Sequence, residues 1–277
     1  MSLIMLAVST CICKALDGKT LAGSRVLESD PTALRFKDDG TAETPVEGPF
    51  VNVFVHESEV TGDYGLFRNG TLEITLVTGV TASMWATDKQ TGESTLEGVA
   101  FARTTGSMDR LLNLLHRQIV MALSDETDPW AVLFRSLVPS LSKVERIGVV
   151  SMENGQRLAA RQAKISGDAI DDPKLDDIDE FYAAIEAEEG AVTPPAKPYA
   201  KFLWLLHQSE QPQDRVLETE ILSVMNGGAV SWSAMLEEMG LTQAGMTALG
   251  IGPVDWDNPD QVVDAAFLNG AALTGDG

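Results

Sequence analysis

Cysteine, histidine and positive charge are all scarce in this 277-residue sequence, which has two Cys, three His and 20 Lys or Arg against 41 Asp or Glu. A net charge of −21 argues against a protein that wraps nucleic acid, because gripping phosphates needs an excess of cations that displace counterions. No apolar run approaches the ~20 residues that a bilayer-spanning helix requires. The histidines, His56, His116 and His207, fall in three separate predicted elements and outside any His-x-x-x-His or Cys/His pattern, so metal-ligand spacing is missing. His116 sits at the edge of an apolar helical stripe, where a structural partner is expected. A Gly-x-Ser-x-Gly elbow and a phosphate-cradling Gly-x-x-x-x-Gly-Lys-Ser/Thr loop are also lacking, and Gly250-Ile251-Gly252 is too short to bind a dinucleotide.

Cys11 and Cys13 are two residues apart in an apolar stretch. On a helix that spacing points the thiols to different sides, so plain buried thiols in a reducing compartment are expected. Residues 1–16 superficially resemble a secretory signal, with a faint lipoprotein-like site before Cys11. The basic leader is missing, and the stretch reads as a first helix, apolar on most sides and buried on most sides.

What the sequence does have is acid, unevenly placed. Through Ile165 there are 16 basic and 20 acidic residues; beyond it there are 4 and 21. The run Asp171, Asp172, Asp176, Asp177, Asp179 and Glu180 lacks the central Gly and terminal Glu of a calcium loop, so it reads as a solvated segment. With Pro194, Pro195 and Pro198 close behind, residues 169–198 are expected to be an acidic, Pro-rich linker.

The order of elements follows from periodicity. Asp17-Gly18-Lys19 stops the first helix, and a short strand over residues 25–28 follows. Residues 30–48 are polar, Pro- and Gly-containing and longer than an ordinary connection, which predicts a functional loop. Val51, Val53 and Val55 alternate with Phe50, Asn52 and Phe54 on a strand; Leu72, Ile74 and Leu76 alternate with Glu73 and Thr75 on the next. Asn69-Gly70 predicts a two-residue hairpin turn between them. Ser107 is a suitable N-cap for a helix whose apolar face is Met108, Leu111, Leu112, Leu115, Ile119 and Ala122. Asp128-Pro129 opens another helix that ends at Pro139. Runs over 144–152 and 156–165, joined by Glu153-Asn154-Gly155, predict a second hairpin.

This order predicts an α+β fold, a mostly antiparallel sheet with helices on one face and the other face uncovered, followed by an acidic helical C-terminal extension. Short helices are expected at 199–208, 214–226, 231–239, 242–249 and 260–268. The expected domains are 1–168, the linker 169–198 and a small helical extension 199–277. Tyr64, Phe67, Arg68 and Asn69, on the expected hairpin, are the candidate interface residues, since an exposed aromatic with an Arg contributes disproportionately to protein contacts.

In its element order and in several short motifs the chain resembles the tail terminator, or tail completion, proteins of long-tailed bacteriophages. The resemblance covers residues 1 to about 168. It runs through Thr20-Leu21-Ala22-Gly23-Ser24-Arg25-Val26, Pro49-Phe50-Val51-Asn52-Val53-Phe54-Val55 and Gly70-Thr71-Leu72-Glu73-Ile74-Thr75-Leu76. It continues in the helix from Met108 to Leu123 and ends in Gly155-Gln156-Arg157-Leu158-Ala159-Ala160-Arg161.

The resemblance implies a structural virion protein in the neck region, a hexameric ring capping the head-proximal end of the tail tube. Its implied partners are the tail tube protein, a head-completion or neck protein, and DNA that crosses the lumen unbound. No catalytic residue, cofactor or metal comes with it. A ring of such acidic subunits would repel DNA, which suits passage without sticking. The family pattern lacks the acidic extension after residue 168. Two other readings remain open: a soluble hydrolase or metal-binding enzyme with an acidic site, and a monomeric adaptor for a basic protein.

Overall fold

The structure is a computed structural model that describes residues 2–30, 35–36, 42–43, 48–59, 68–87, 94–101, 106–150, 157–186 and 193–227. The chain divides into two compact units, Met1–Ile221 and Leu222–Gly277, and the fold below is that of the first, except that its last helix runs on past Ile221 into the second. Its elements are α1 (Leu3–Leu16), β1 (Val26–Glu28), β2 (Arg35–Phe36), β3 (Ala42–Glu43), β4 (Pro49–Glu59), β5 (Thr71–Thr87), β6 (Ser94–Phe101), α2 (Gly106–Leu123), α3 (Pro129–Leu137), β7 (Ser140–Val150), β8 (Arg157–Asp168), α4 (Leu175–Ile185), α5 (Pro198–Gln208) and α6 (Pro212–Met225). This is an α+β fold, with the mostly antiparallel sheet that the sequence predicts.

Five strands form the main sheet in the order β1-β4-β5-β8-β7, and only β1 runs parallel to its neighbour. Strand β5 is long enough to serve twice. Its residues 71–80 lie between β4 and β8, and residues 81–87 pair with β6, which carries the two-residue strands β3 and β2. Register puts Val51, Val53 and Val55 beside Thr78, Leu76 and Ile74, and those beside Arg161, Ala163 and Ile165, all on one face. That face takes the helices. Leu112 of α2 joins Val80 and Ala159 in a buried cluster flanked by Met108 and Leu111. Helix α1 crosses β4 and β1, with α3 packed behind it.

Helix α1 matches the expectation of burial on most sides: Ile4, Met5, Ala7, Val8, Cys11, Ile12, Ala15 and Leu16 are all buried. Ser2 caps its N-terminus, and Gly18, at φ +67°, supplies the left-handed residue after its end. Cys11 and Cys13 are unbridged, and burial pushes both thiols well above their ordinary pKa. The N-cap of α3 is Asp128, whose carboxylate accepts from the backbone N–H of Trp130 and Ala131 and also pairs with Lys19. One side chain thus closes a helix end and ties it to the loop after α1, a capping contribution of about 1 kcal/mol.

The structure corrects several of these expectations. Asn69-Gly70 is not a two-residue turn: Glu59 is paired with Thr71, so the connection between β4 and β5 runs over residues 60–70. Asn69 is held instead by the segment after β8, donating its amide to the Ile170 carbonyl (2.9 Å) and to Asp172 (3.1 Å). Helix α2 begins at Gly106, which places Ser107 inside the first turn rather than at the cap. The expected loop 30–48 contains β2 and β3, and β6 adds a strand that no sequence signal marked. Within 169–198, where an extended linker was expected, the chain forms α4. There Ile178 and Phe181, three apart, bury one stripe while Asp176 and Asp177 sit in the first turn, favoured by the helix dipole.

The expected helices at 199–208 and 214–226 correspond to α5 and α6. The expected boundaries at 168 and 198 both fall inside the first unit, because Tyr199, Phe202, Leu203 and Leu206 of α5 are buried in its core. The turn at Glu153-Asn154-Gly155, and the helices expected at 231–239, 242–249 and 260–268, lie outside the described residues.

Candidate interaction surfaces

The second face of the sheet is not uniformly bare, as one-sided covering would require. Toward β4 it is closed, with Phe50 and Asn52 buried. Asn52 satisfies its amide there by bonding both backbone groups of Asp30, at 2.6 and 3.2 Å. Toward β8 it opens. Lys164 pairs with Glu73 at 2.6 Å in a half-exposed setting, and β7 beyond it is exposed from Ser140 to Gly148.

Strand β7 pairs with β8 along one edge and with no other described strand along the second. Bulges at Leu141/Lys143 and at Gly148/Val150 interrupt the pairing at each end. On the edge strand Leu141, Val144 and Ile147 stand 53%, 44% and 48% exposed, more apolar surface than an edge normally offers to water.

The polar edge of α2 faces the same strands. Asp109, Asn113 and His116 recur at i, i+4 and i+7, which lines them along one side of the helix. Arg161 of β8 donates to Asn113 and reaches Asp109 at 3.4 Å. Arg146 of β7 donates its Nε–H to His116 Nε2 at 2.6 Å. An accepting Nε2 is an unprotonated Nε2, so the contact selects the neutral imidazole. Burial first, then the Arg146 and Arg161 guanidiniums, hold the His116 pKa below its ordinary value.

A depressed folded-state pKa leaves stability intact above the unfolded value of about 6.5 and removes it as pH falls through the lower folded value. The wild-type protein should therefore lose unfolding free energy between about pH 7 and pH 5 relative to His116→Gln, which keeps an acceptor and does not titrate. Urea midpoints of the two proteins across that range measure it; parallel pH curves would refute it.

The opposite, outward side of α2 is apolar where solvent would favour polar residues. Leu114 and Met121 are 58% and 59% exposed, and at a seven-residue spacing they share one stripe. Gln118 lies between them and accepts a hydrogen bond from the backbone N–H of Leu21, itself 39% exposed. Leu21, Leu114 and Met121 thus surround one anchored glutamine.

A cleft of about 340 Å³ lies where α1, α3 and α5 meet the start of α6, lined by Lys14, Asp17, Trp130, Leu205, Gln208, Ser209, Gln211 and Asp214. Its Lys14 and Asp214 satisfy each other. Lys14 Nζ binds Asp214 at 2.6 Å and Gln211 at 2.5 Å. Behind it the buried Glu218 takes His207 at 2.8 Å and Arg215 at 3.0 Å. These contacts clamp α6 to α1 and α5, a structural role for buried carboxylates that would otherwise be costly. Periodicity could not reveal this clamp, since its partners lie up to 200 residues apart.

Of the candidate interface residues, Tyr64 and Phe67 lie outside the described residues. Arg68 is exposed and stands 3.9 Å from Asp171; Asn69 is buried within its own chain, which takes it off the surface. Among the described residues no group of three His, Cys, Asp or Glu is placed to hold a metal ion, and no helix is long and apolar enough to cross a membrane. No protein-family model matches the chain, and no curated protein sequence matches it significantly.

Proposed function

We propose that this chain is a structural subunit of the tail terminator type: six copies form a ring at the head-proximal end of a phage tail tube, end its growth and join it to the neck. The observation that carries the reading is the uncovered apolar stripe of α2, Leu114 and Met121 with Leu21 beside it. A lone chain gains nothing from keeping such side chains in water, and a head-to-tail contact around a ring would cover them. The order of helix, sheet, two helices and hairpin, on which the resemblance rests, is also the order of this fold.

Subunits with a net charge of −21 each suit a channel that DNA crosses without binding. The enzyme reading would call on the acids of the C-terminal part. Asp214 and Glu218, the buried ones among the described residues, are occupied by Lys14, His207 and Arg215.

Negative-stain images of the purified protein, with and without tail tubes, test the proposal. Six-fold rings are expected from the wild type. Leu114→Glu combined with Met121→Glu should abolish them while leaving the far-ultraviolet circular dichroism unchanged, since both positions are exposed. A wild type that forms no ring even on tubes overturns the reading, as do rings that survive both substitutions.

A further inference from the structure

Strand β7 offers more than a bare edge, because its charges are arranged to meet themselves. Lys143 and Glu145 are paired in register with Ser166 and Lys164 and so lie on the second face of the sheet, while Val144, beside Ile165, lies on the helix-covered face. Within one chain Lys143 Nζ bonds Glu145 at 2.8 Å, both side chains exposed.

Now let a second copy lie antiparallel along the same edge. With Val144 at the two-fold axis, Val144 faces Val144, and each Lys143 faces the Glu145 of the other chain. Sliding the axis by one residue places Lys143 opposite Lys143, or Glu145 opposite Glu145. Like charges directly opposite are unfavourable, so only the Val144 register is complementary. An edge guarded purely against pairing would carry charges of one sign, which repel in every register. Here the triplet Lys143-Val144-Glu145 selects one.

We propose that β7 is a homodimerisation edge, on which two copies of this chain pair antiparallel about Val144 and continue the sheet from one protomer into the other. The contact is isologous and closes at two copies, so it is distinct from the head-to-tail contacts of a ring and does not rest on that reading. The bulges at both ends confine the regular stretch to the middle of the strand, which makes the dimer weak and concentration-dependent.

The test is a charge exchange on the full chain, read by light scattering over a concentration series. For the wild type the mass should double as concentration rises. Lys143→Glu alone creates two repulsive pairs per dimer, as does Glu145→Lys alone, and each should weaken association roughly tenfold or more. The first variant carries two acids on this edge and the second carries two bases. Mixing them sets acid against base at both cross-strand pairs, so association should return in the mixture. It should return also in the double variant Lys143→Glu/Glu145→Lys. These positions are exposed in the protomer, and circular dichroism should show each variant folded. A wild type whose mass does not rise with concentration overturns the proposal. So do single variants that associate as well as wild type, or a mixture that fails to recover. Loss of rings in the Leu114/Met121 variant would leave this dimer intact, so the two proposals fail separately.

Discussion

Phe202→Ala should lower the unfolding free energy by about 3–5 kcal/mol, the cost of emptying a fully buried aromatic site that cannot collapse. Phe202 is 0% exposed on α5. Its ring meets Trp130 of α3 edge-on at 6.4 Å between centroids and Tyr199 at 5.6 Å, tilted. Both neighbours are anchored. Trp130 follows the Asp128 cap, and Tyr199 sits in the first turn of α5 beside Pro198. Neither can swing into the space, so the lost transfer energy and the cavity term add.

Domains of this size are held by about 5–15 kcal/mol in total, so the variant should denature at a much lower urea concentration. The result also bears on organisation. If residues 199–208 formed an independent extension, a large loss there would leave the transition of the sheet untouched. In the present fold the tryptophan fluorescence and circular dichroism transitions should shift together. An unaltered midpoint, or two transitions that separate, would contradict the packing of α5 into the first unit.

The second large effect is expected at Gly167. This residue is buried in β8 where the chain from α3 turns into β7. A Cβ placed on it would lie 2.7 Å from the Ser140 carbonyl oxygen, 2.7 Å from Val138 Cγ1 and 3.0 Å from a methyl of Leu141. Two of these are side chains, and the closest contacts include backbone, which has little room to yield. Gly167→Ala should therefore push residues 138–141 away and cost about 1–3 kcal/mol, and Gly167→Val more, by overpacking.

Because Ser140 and Leu141 are in register with Asp168 and Gly167, the damage should be local as well as global. Amide hydrogen exchange in residues 140–144 should speed up well before exchange in β4 or β5 does. An Ala variant with unchanged stability would show that the turn into β7 yields freely.

These two sites also separate what could be read in sequence from what could not. For most elements with one repetitive face, the sequence was enough. The alternation of Val51, Val53 and Val55 against Phe50, Asn52 and Phe54 states a strand without reference to any partner. The 3.6-residue recurrence through Leu112, Leu115 and Ile119 does the same for α2, and Asp128-Pro129 for the start of α3. Helices α1, α5 and α6, the antiparallel pairing of β7 with β8 and the α+β class all follow from such local signals. They are legible because hydrophobic burial and capping act over a few residues.

What the tertiary structure decided depends on partners distant in the chain. Asn69-Gly70 has the form of a tight turn, yet Asn69 is claimed by Ile170 and Asp172, a hundred residues on, and a local preference yields to a buried amide that must be satisfied. The acid-rich stretch after Asp168 looks extended until α5 provides a surface on which Ile178 and Phe181 can be buried. Lys14 and Asp214 meet across 200 residues, a pairing that no window along the sequence contains. The exposure of Leu114, Met121 and Val144 is likewise a fact of packing: a stripe written in the sequence becomes an interaction surface only when the fold leaves it uncovered. Composition alone determined the acidity of this protein and its poverty in His and Cys, because those are sums over side chains. Which apolar side chains are left for a neighbour is a difference between what each chain presents and what its own core can cover, and that difference exists only in three dimensions.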